Sequence, residues 1–419
     1  MSHGPVTDMP PPRPSREHLR PRGSNQVGVG QFNERVVLQA IRLHGPLAKA
    51  EIARLTHLTA QTVSLIIARL EAADLVLKHD PVRGRVGQPS VPIALNPDGA
   101  FAIGIKVGRR SLDVLLVDFT GVVRRRWSLD YRYPEPGQLL TEIARRFEEL
   151  TRVLSAAHFE RVQGVGIAAP LSLGGWRTLL EMPPDVAAGW SETDLEAEVA
   201  RLTDLPVTLL KDTAAACIAE LAAGRGRSVR SFLYVFVDTF IGGGLVLDSQ
   251  LRTGLHGNAG AIGSMPLRLA TPGAAPAQML SVASLLNLEL LYSAAGLDTS
   301  AAGDERSMQG AWRSHTERWL AQAGEAVALA VNNAACLLDI ESVIVDGSFN
   351  QVLRAALVTA IEQAMDHYDW EGVTCPRVLP GTIGSDARAI GAAMLPLHAN
   401  FAPNRELFLK TGPDTTASA

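Results

Sequence analysis

The sequence predicts an α/β protein: an N-terminal winged helix-turn-helix followed by a larger mixed α/β body in two similar halves. Three observations predict it. Residues 33–95 read helix, helix, helix, strand, loop, strand. From about Pro97, apolar β-rich runs alternate with helical ones. The strand–turn–strand opening at 101–119 then recurs at 231–248.

Composition bounds the rest. The chain has 419 residues, 47% hydrophobic and 20% charged, which excludes fibrous, collagen-like and wholly disordered classes. No run of about 18 uncharged apolar residues occurs, so no membrane partner is expected. The Pro- and Arg-rich start has no apolar signal core, and a soluble, cytoplasmic protein is expected. Cys217, Cys336 and Cys375 are too few and too scattered for a disulfide framework or a four-thiolate zinc site. Net charge is −4, divided as +4 over residues 1–100 and −8 over the remainder. A basic head on an acidic body suits nucleic-acid binding at one end, although a surplus of four charges decides nothing alone.

Residues 1–30 hold six prolines and four arginines and almost nothing apolar, so they read as a flexible arm. Val36, Val37, Ala40, Ile41 and Leu43 then recur at helical spacing until Gly45-Pro46 ends the helix. A second short amphipathic helix runs from Lys49 to Leu55, and His57-Leu58 forms a turn. Thr59 can cap the third helix, whose Val63, Ile66, Ile67 and Leu70 make one apolar stripe. Its other face presents Ala60, Gln61, Ser64 and Ala68, with Thr62 at the leading end. Glutamine can bond an adenine edge bidentately, and short side chains permit close approach in a major groove. Two short strands, at 75–77 and 92–95, flank the basic loop 83–89. The candidate DNA contacts are Lys49, Thr59, Ala60, Gln61, Thr62, Ser64 and Arg69, with Arg83, Arg85 and Gln88 from the wing. A three-helix packing or dimerisation module is the competing reading.

In the body, strands are expected at 101–107, 111–119, 162–168, 207–210, 231–237, 244–248 and 342–345. Helices are expected at 141–154, 213–223, 283–293 and 312–338. Familiar catalytic signatures are absent: no Gly-x4-Gly-Lys-Ser/Thr, no Gly-x-Ser-x-Gly and no His-Glu-x2-His. The clusters Gly164-Val165-Gly166 and Gly242-Gly243-Gly244 are weak phosphate signals and read as turns.

Together the segments resemble one family. Leu95-Asn96-Pro97-Asp98-Gly99, Gly104-Ile105-Lys106-Val107-Gly108 and Val165-Gly166-Ile167-Ala168-Ala169-Pro170 are similar to the ROK family of repressors and sugar kinases. Leu210-Lys211-Asp212-Thr213, Ile241-Gly242-Gly243-Gly244 and the stretch from Gly257 to Ser264 continue the series, and Asp346-Gly347-Ser348-Phe349 and Ile390-Gly391-Ala392-Ala393 close it. The resemblance covers about residues 31–398. It implies a bilobed, actin-like (ribonuclease H-like) ATPase-type body with sugar held between the lobes. Its regulators carry the winged helix and its kinases lack it. The organisation expected is an arm at 1–30, a winged helix at 31–96 and a first lobe at 97–225 completed by a C-terminal helix at 386–400. A second lobe with oligomerisation surfaces follows at 226–385, and a frayed tail at 401–419.

The chain departs from the kinase pattern where phosphate would bind. Lys106 stands in place of the acid that helps hold the magnesium-nucleotide, and Arg109 and Arg110 replace a small loop. Asp238 and Phe240 stand where a Gly-Thr-Gly would face a polyanion. Phosphoryl transfer depends on positioning and charge stabilisation, so no enzyme and no cofactor are expected. The zinc-linked element reads Gly260-Ala261-Ile262-Gly263-Ser264, and residues 265–285 contain no cysteine, so no metal is expected. Asp212 matches the catalytic base of the kinases. It reads equally as a contact to a sugar hydroxyl or as a helix cap. Lys211 faces either an anionic ligand or Asp212 itself. The candidate ligand-binding residues are Lys211, Asp212, His256, Asn258 and Ser264.

These readings lead to a DNA-binding transcriptional regulator, a repressor of carbohydrate-utilisation genes, whose partners are a pseudopalindromic double-stranded operator, a sugar-like effector and further copies of itself. A ROK-type sugar kinase with a fused DNA-binding head is the alternative. A DNA-binding architectural protein with an idle cleft is a third.

Overall fold

The computed structural model describes residues 26–81, 91–175, 177 and 181–403. The first unit contains α1 (Gln26–His44), β1 (Leu47–Ala48), α2 (Lys49–Thr56), α3 (Ala60–Ala72), β2 (Val76–Lys78) and β3 (Pro92–Leu95). Its strands form an antiparallel sheet in the order β1-β3-β2. α1 begins at Gln26, inside the stretch expected to be arm. Thr59 caps α3, its Oγ1 accepting from Thr62 N at 3.1 Å, and Val63, Ile66, Ile67 and Leu70 are buried against the other helices.

The body opens with β4 (Phe101–Val107), β5 (Ser111–Asp118), β6 (Val123–Asp130), α4 (Pro136–Val153), α5 (Ala156–Phe159) and β7 (Val162–Ala169). α6 (Pro184–Glu192), α7 (Leu195–Ala200), β8 (Val207–Lys211) and α8 (Asp212–Ala223) complete the first half. β9 (Phe232–Val237), β10 (Gly242–Leu247), β11 (Gln250–Arg252), α9 (Leu280–Ala283), α10 (Leu285–Ala294) and α11 (Arg313–Leu338) open the second. β12 (Ser342–Gly347), α12 (Gln351–Met365), β13 (Arg377–Pro380) and α13 (Ala387–Phe401) close the chain. The sheets run β6-β5-β4-β7-β8 and β11-β10-β9-β12-β13. In each, the first three strands pair antiparallel and the last three parallel, so the two halves share one topology.

Several expected elements change at their ends or break. The helix expected at 283–293 divides at Ser284, whose buried hydroxyl donates to Leu280 O at 2.6 Å and accepts from Ile241 N at 3.0 Å. The glycines at 242–244 are strand rather than turn. A Cβ on Gly242 would lie 2.8 Å from Thr213 Cγ2 and one on Gly244 2.6 Å from Cys217 Cβ, so α8 can rest on β10 only because side chains are absent there. Phe401, expected in the frayed tail, ends α13 with its ring 4.7 Å from that of Phe119.

α13 and α8 fill the space between the sheets, α13 against β4, β5 and β7 and α8 against β10. Their crossing is tight at Gly391, where a Cβ would meet Ala215 O at 1.7 Å. The first unit is not a separate ball. Ile41, Ile52, Ile67 and Ile93 share one apolar core with Phe119, Ile218, Met394 and Leu397 of the body. Arg42 sits over the Phe119 ring at 5.0 Å, and burial lowers its guanidinium to about 10, although Asp118 pulls the other way. Arg227 Nη2 donates to Leu43 O and Arg42 O from the body side.

Candidate functional site

Between the sheets lies a cavity of about 220 Å³. Four segments bring its chemistry together: the β4–β5 turn with Arg109, the start of α8 with Lys211 and Asp212, the β9–β10 connection with Asp238 and Phe240, and the loop carrying Asn258 and Ser264. His256 lies on the same loop but is exposed and outside the cavity lining.

A residue that sequence reasoning missed organises the charges. Arg388, in the first turn of α13, reaches Asp238 Oδ2 at 2.5 Å and Asp212 Oδ2 at 3.7 Å, and donates to Ser348 Oγ at 3.3 Å. Burial pushes the Asp238 carboxyl up, but Arg388, followed by Lys106, outweighs it and holds the group below its ordinary value. The available signal was one arginine in an otherwise small and apolar helical stretch, with carboxylate partners 150 and 176 residues away. Distances of that size cannot be read from spacing.

Asp212 does not cap α8 in the usual way. Lys211 occupies the cap position without a side-chain bond, and Asp212 Oδ1 accepts from the adjacent Thr213 N at 2.8 Å. The other carboxylate oxygen faces Arg388 across the cavity. Lys211 forms no ion pair with Asp212. Burial lowers its ammonium, and Asp212 offsets that from a distance.

The substituted loop residues separate. Lys106 is buried, bonds Ser111 Oγ and sits 3.1 Å from Asp113 Oδ2, its direct partner in the β4–β5 ladder. Its ammonium is thus satisfied within the hairpin and does not line the cavity. Arg110 makes a bidentate pair with Glu289 of α10, at 2.9 and 2.8 Å, tying the first half to the second. Arg109 lies over the Phe240 ring at 4.6 Å, and burial lowers its guanidinium despite Asp212 and Asp238. Asp238, expected to stand where a polyanion would be faced, is paired with Arg388.

On the first unit, Gln61, Ser64 and Ala68 are exposed on α3, and Ala60 and Thr59 are exposed at its start. Thr62 is half-buried and shares a 2.8 Å bond with Thr59 Oγ1. Lys49 is half-buried at the start of α2. Arg69 is exposed but held by Glu34 at 3.0 Å. Leu65, unremarked from sequence, adds an apolar side chain 61% exposed beside Ser64. Arg83, Arg85 and Gln88 lie outside the described residues.

A family model described as the ROK family matches residues 102–399. The chain belongs to the ROK family. The xylose repressor of Bacillus subtilis (strain 168) is 23% identical over 58% of this chain and 62% of its own length, less than two thirds of it. The N-acetylmannosamine kinase of Haemophilus influenzae (strain PittEE) is 28% identical over 51% of this chain and 71% of its own. A crystal structure of a ROK family transcriptional regulator, described as a homologue of the E. coli MLC protein, superimposes with a TM-score of 0.63 at 20% identity. It covers 89% of this chain and 98% of that one. ROK relatives thus divide between repressors and sugar kinases, and the bilobed α/β fold is shared.

The side chains at the positions that the sequence resemblance gives to the phosphate loops have partners within the chain. Lys106 is paired with Asp113. Asp238 is held by Arg388, and the ring of Phe240 with Arg109 over it stands beside the glycine strand. Among the described residues no three His, Cys, Asp or Glu side chains converge as a metal-binding group, and none of the described helices is long and apolar enough to cross a membrane.

Proposed function

We propose that this ROK protein is a sequence-specific DNA-binding transcriptional regulator, a repressor of carbohydrate-utilisation genes, with its effector bound in the interlobe cleft. The observation that carries the reading is the exposed leading face of α3. Gln61, Ser64, Leu65 and Ala68 project from a helix whose opposite stripe is buried, which leaves a surface narrow enough for a major groove. In this reading residues 31–96 form a winged helix-turn-helix, with Arg83, Arg85 and Gln88 on the wing and Lys49 and Arg69 against phosphate. The match to the MLC homologue supports it, because 89% of this chain is more than residues 102–419 can supply. α13 supports the link between effector and DNA. Its first turn carries Arg388 in the cleft, and its last packs Phe401 beside the α1 junction. An effector that favours one lobe arrangement would move both ends of that helix.

A two-fold assembly of such heads reads a pseudopalindrome, with binding that weakens steeply as salt rises. Footprinting of the promoter nearest the gene, at low and moderate salt, is expected to show paired protected half-sites. Gln61→Ala is expected to lose about 1–3 kcal/mol of operator affinity, concentrated at one base position of each half-site. A uniform loss across random sequences, or no protection at any salt, removes the regulator reading.

A second reading keeps a kinase with a fused head, favoured by the carboxylate of Asp212 facing the cavity instead of capping α8. Sugar-dependent ATP consumption abolished by Asp212→Asn would establish it.

A further inference from the structure

The charges around the cleft do not balance. Arg109, Lys211 and Arg388 bring three cations to its wall, and Asp212 and Asp238 bring two carboxylates. Both carboxylates face Arg388, and among the described residues no carboxylate lies within ion-pair distance of Arg109 or Lys211. Arg109 Nη1 and Arg388 Nε are also buried, and no acceptor among the described residues bonds to either. Buried N–H donors left in that condition cost free energy, which an acceptor oxygen arriving from outside the chain would recover. The size of the space restricts the source of that oxygen. At about 220 Å³ it falls below the roughly 300–1,000 Å³ typical of pockets for drug-sized ligands. Asn258 and Ser264 add two uncharged polar side chains to the lining.

We propose that the cleft takes a monosaccharide-sized polyol bearing one anionic group, carboxylate or phosphate. The anion lies against Arg109 and Lys211, and the hydroxyls meet Asp212, Asn258 and Ser264. This rests on the reading of the cleft as the effector site. Arg109 belongs to the β4–β5 turn of the first half and Phe240 to the β9–β10 connection of the second, so an anion that draws Arg109 toward itself acts on the contact joining the halves. A neutral sugar would satisfy the hydroxyl partners and leave the positive surplus in place.

Titration calorimetry on the full chain with glucose, D-gluconate, D-glucuronate and glucose 6-phosphate tests it, with acetate and inorganic phosphate as bare anions. At least one charged sugar is expected to bind tenfold or more tightly than glucose. Comparing the two acids with the phosphate ester separates the anion types. Arg109→Gln and Lys211→Met are each expected to cut that affinity at least tenfold, with thermal melts confirming folded protein. Arg152→Gln, on the exposed face of α4 and outside the cavity lining, is expected to change it less than twofold. Glucose binding as tightly as every charged sugar overturns the proposal. So does failure of the whole panel to bind, or charged-sugar affinity that both cavity variants leave intact. Operator footprints retained alongside any of those results would refute the ligand class alone. Footprints absent while charged sugars bind would refute the regulator reading alone.

Discussion

Gly391→Val is expected to destabilise the protein by more than about 3 kcal/mol, or to leave it unfolded on expression. The Cβ alone would sit 1.7 Å from Ala215 O, a backbone atom that no rotamer change can move aside. Ordinary overpacking of a core costs about 1–3 kcal/mol, and this contact is closer than a side-chain clash. Relief requires α13 and α8 to separate by more than 1 Å, roughly, to regain ordinary van der Waals distance. α13 rests on the first sheet and α8 on the second, so that separation also parts the halves. Gly189→Ala is the control. It lies within α6, its nearest contact would be 3.4 Å, and alanine has the better helix propensity, so stability should hold or rise. Urea unfolding monitored by tryptophan fluorescence measures both. A Gly391→Val protein within 1 kcal/mol of the parent, about a fivefold change in the folding constant, would contradict the crossing described.

Arg388→Met is expected to cost about 3 kcal/mol at neutral pH, by stranding two carboxylates that share one buried cation. The figure is set at the low end because Asp238 remains 21% exposed. The pH dependence has a definite sign. Asp238 is held below its ordinary value in the folded chain, so its stabilisation is present above about pH 4 and fades as acid passes through the depressed folded value. The gap between parent and variant should therefore narrow below about pH 4, and Asp238→Asn added to Arg388→Met should recover part of the loss. A gap independent of pH would mean that Arg388 acts by packing on Phe236, 5.2 Å from its guanidinium, rather than by charge.

What sequence reveals follows from the range of the forces involved. The stripe Val63, Ile66, Ile67, Leu70 and the apolar run Phe232–Val237 were legible because burial imposes a local period. β6 was not. It is an edge strand with Arg124, Arg125 and Arg126 exposed in succession, so neither face is apolar and no alternation marks it. Four of the five ligand candidates come from two segments that do meet at the cavity, while His256, chosen for proximity in sequence, turns outward. Lys106 was assigned to the cleft by alignment with a motif. Counting across the hairpin from the two-residue tip at 109–110 would have set it opposite Asp113 instead. The role of Arg388 was out of reach, since only the folded sheets bring 212, 238 and 388 together.

The apolar core that α1, α2 and α3 share with Phe119, Met394 and Leu397 has a practical corollary for experiments on fragments. Severing the polypeptide between residues 96 and 97 would bare greasy surface on both products, and neither would retain the rigidity it has in the parent. Differential scanning calorimetry of the intact protein should accordingly record no early peak for the N-terminal portion. An N-terminal fragment expressed alone will be a sticky, loosened version of itself, and a test of the proposed DNA binding belongs on the whole chain.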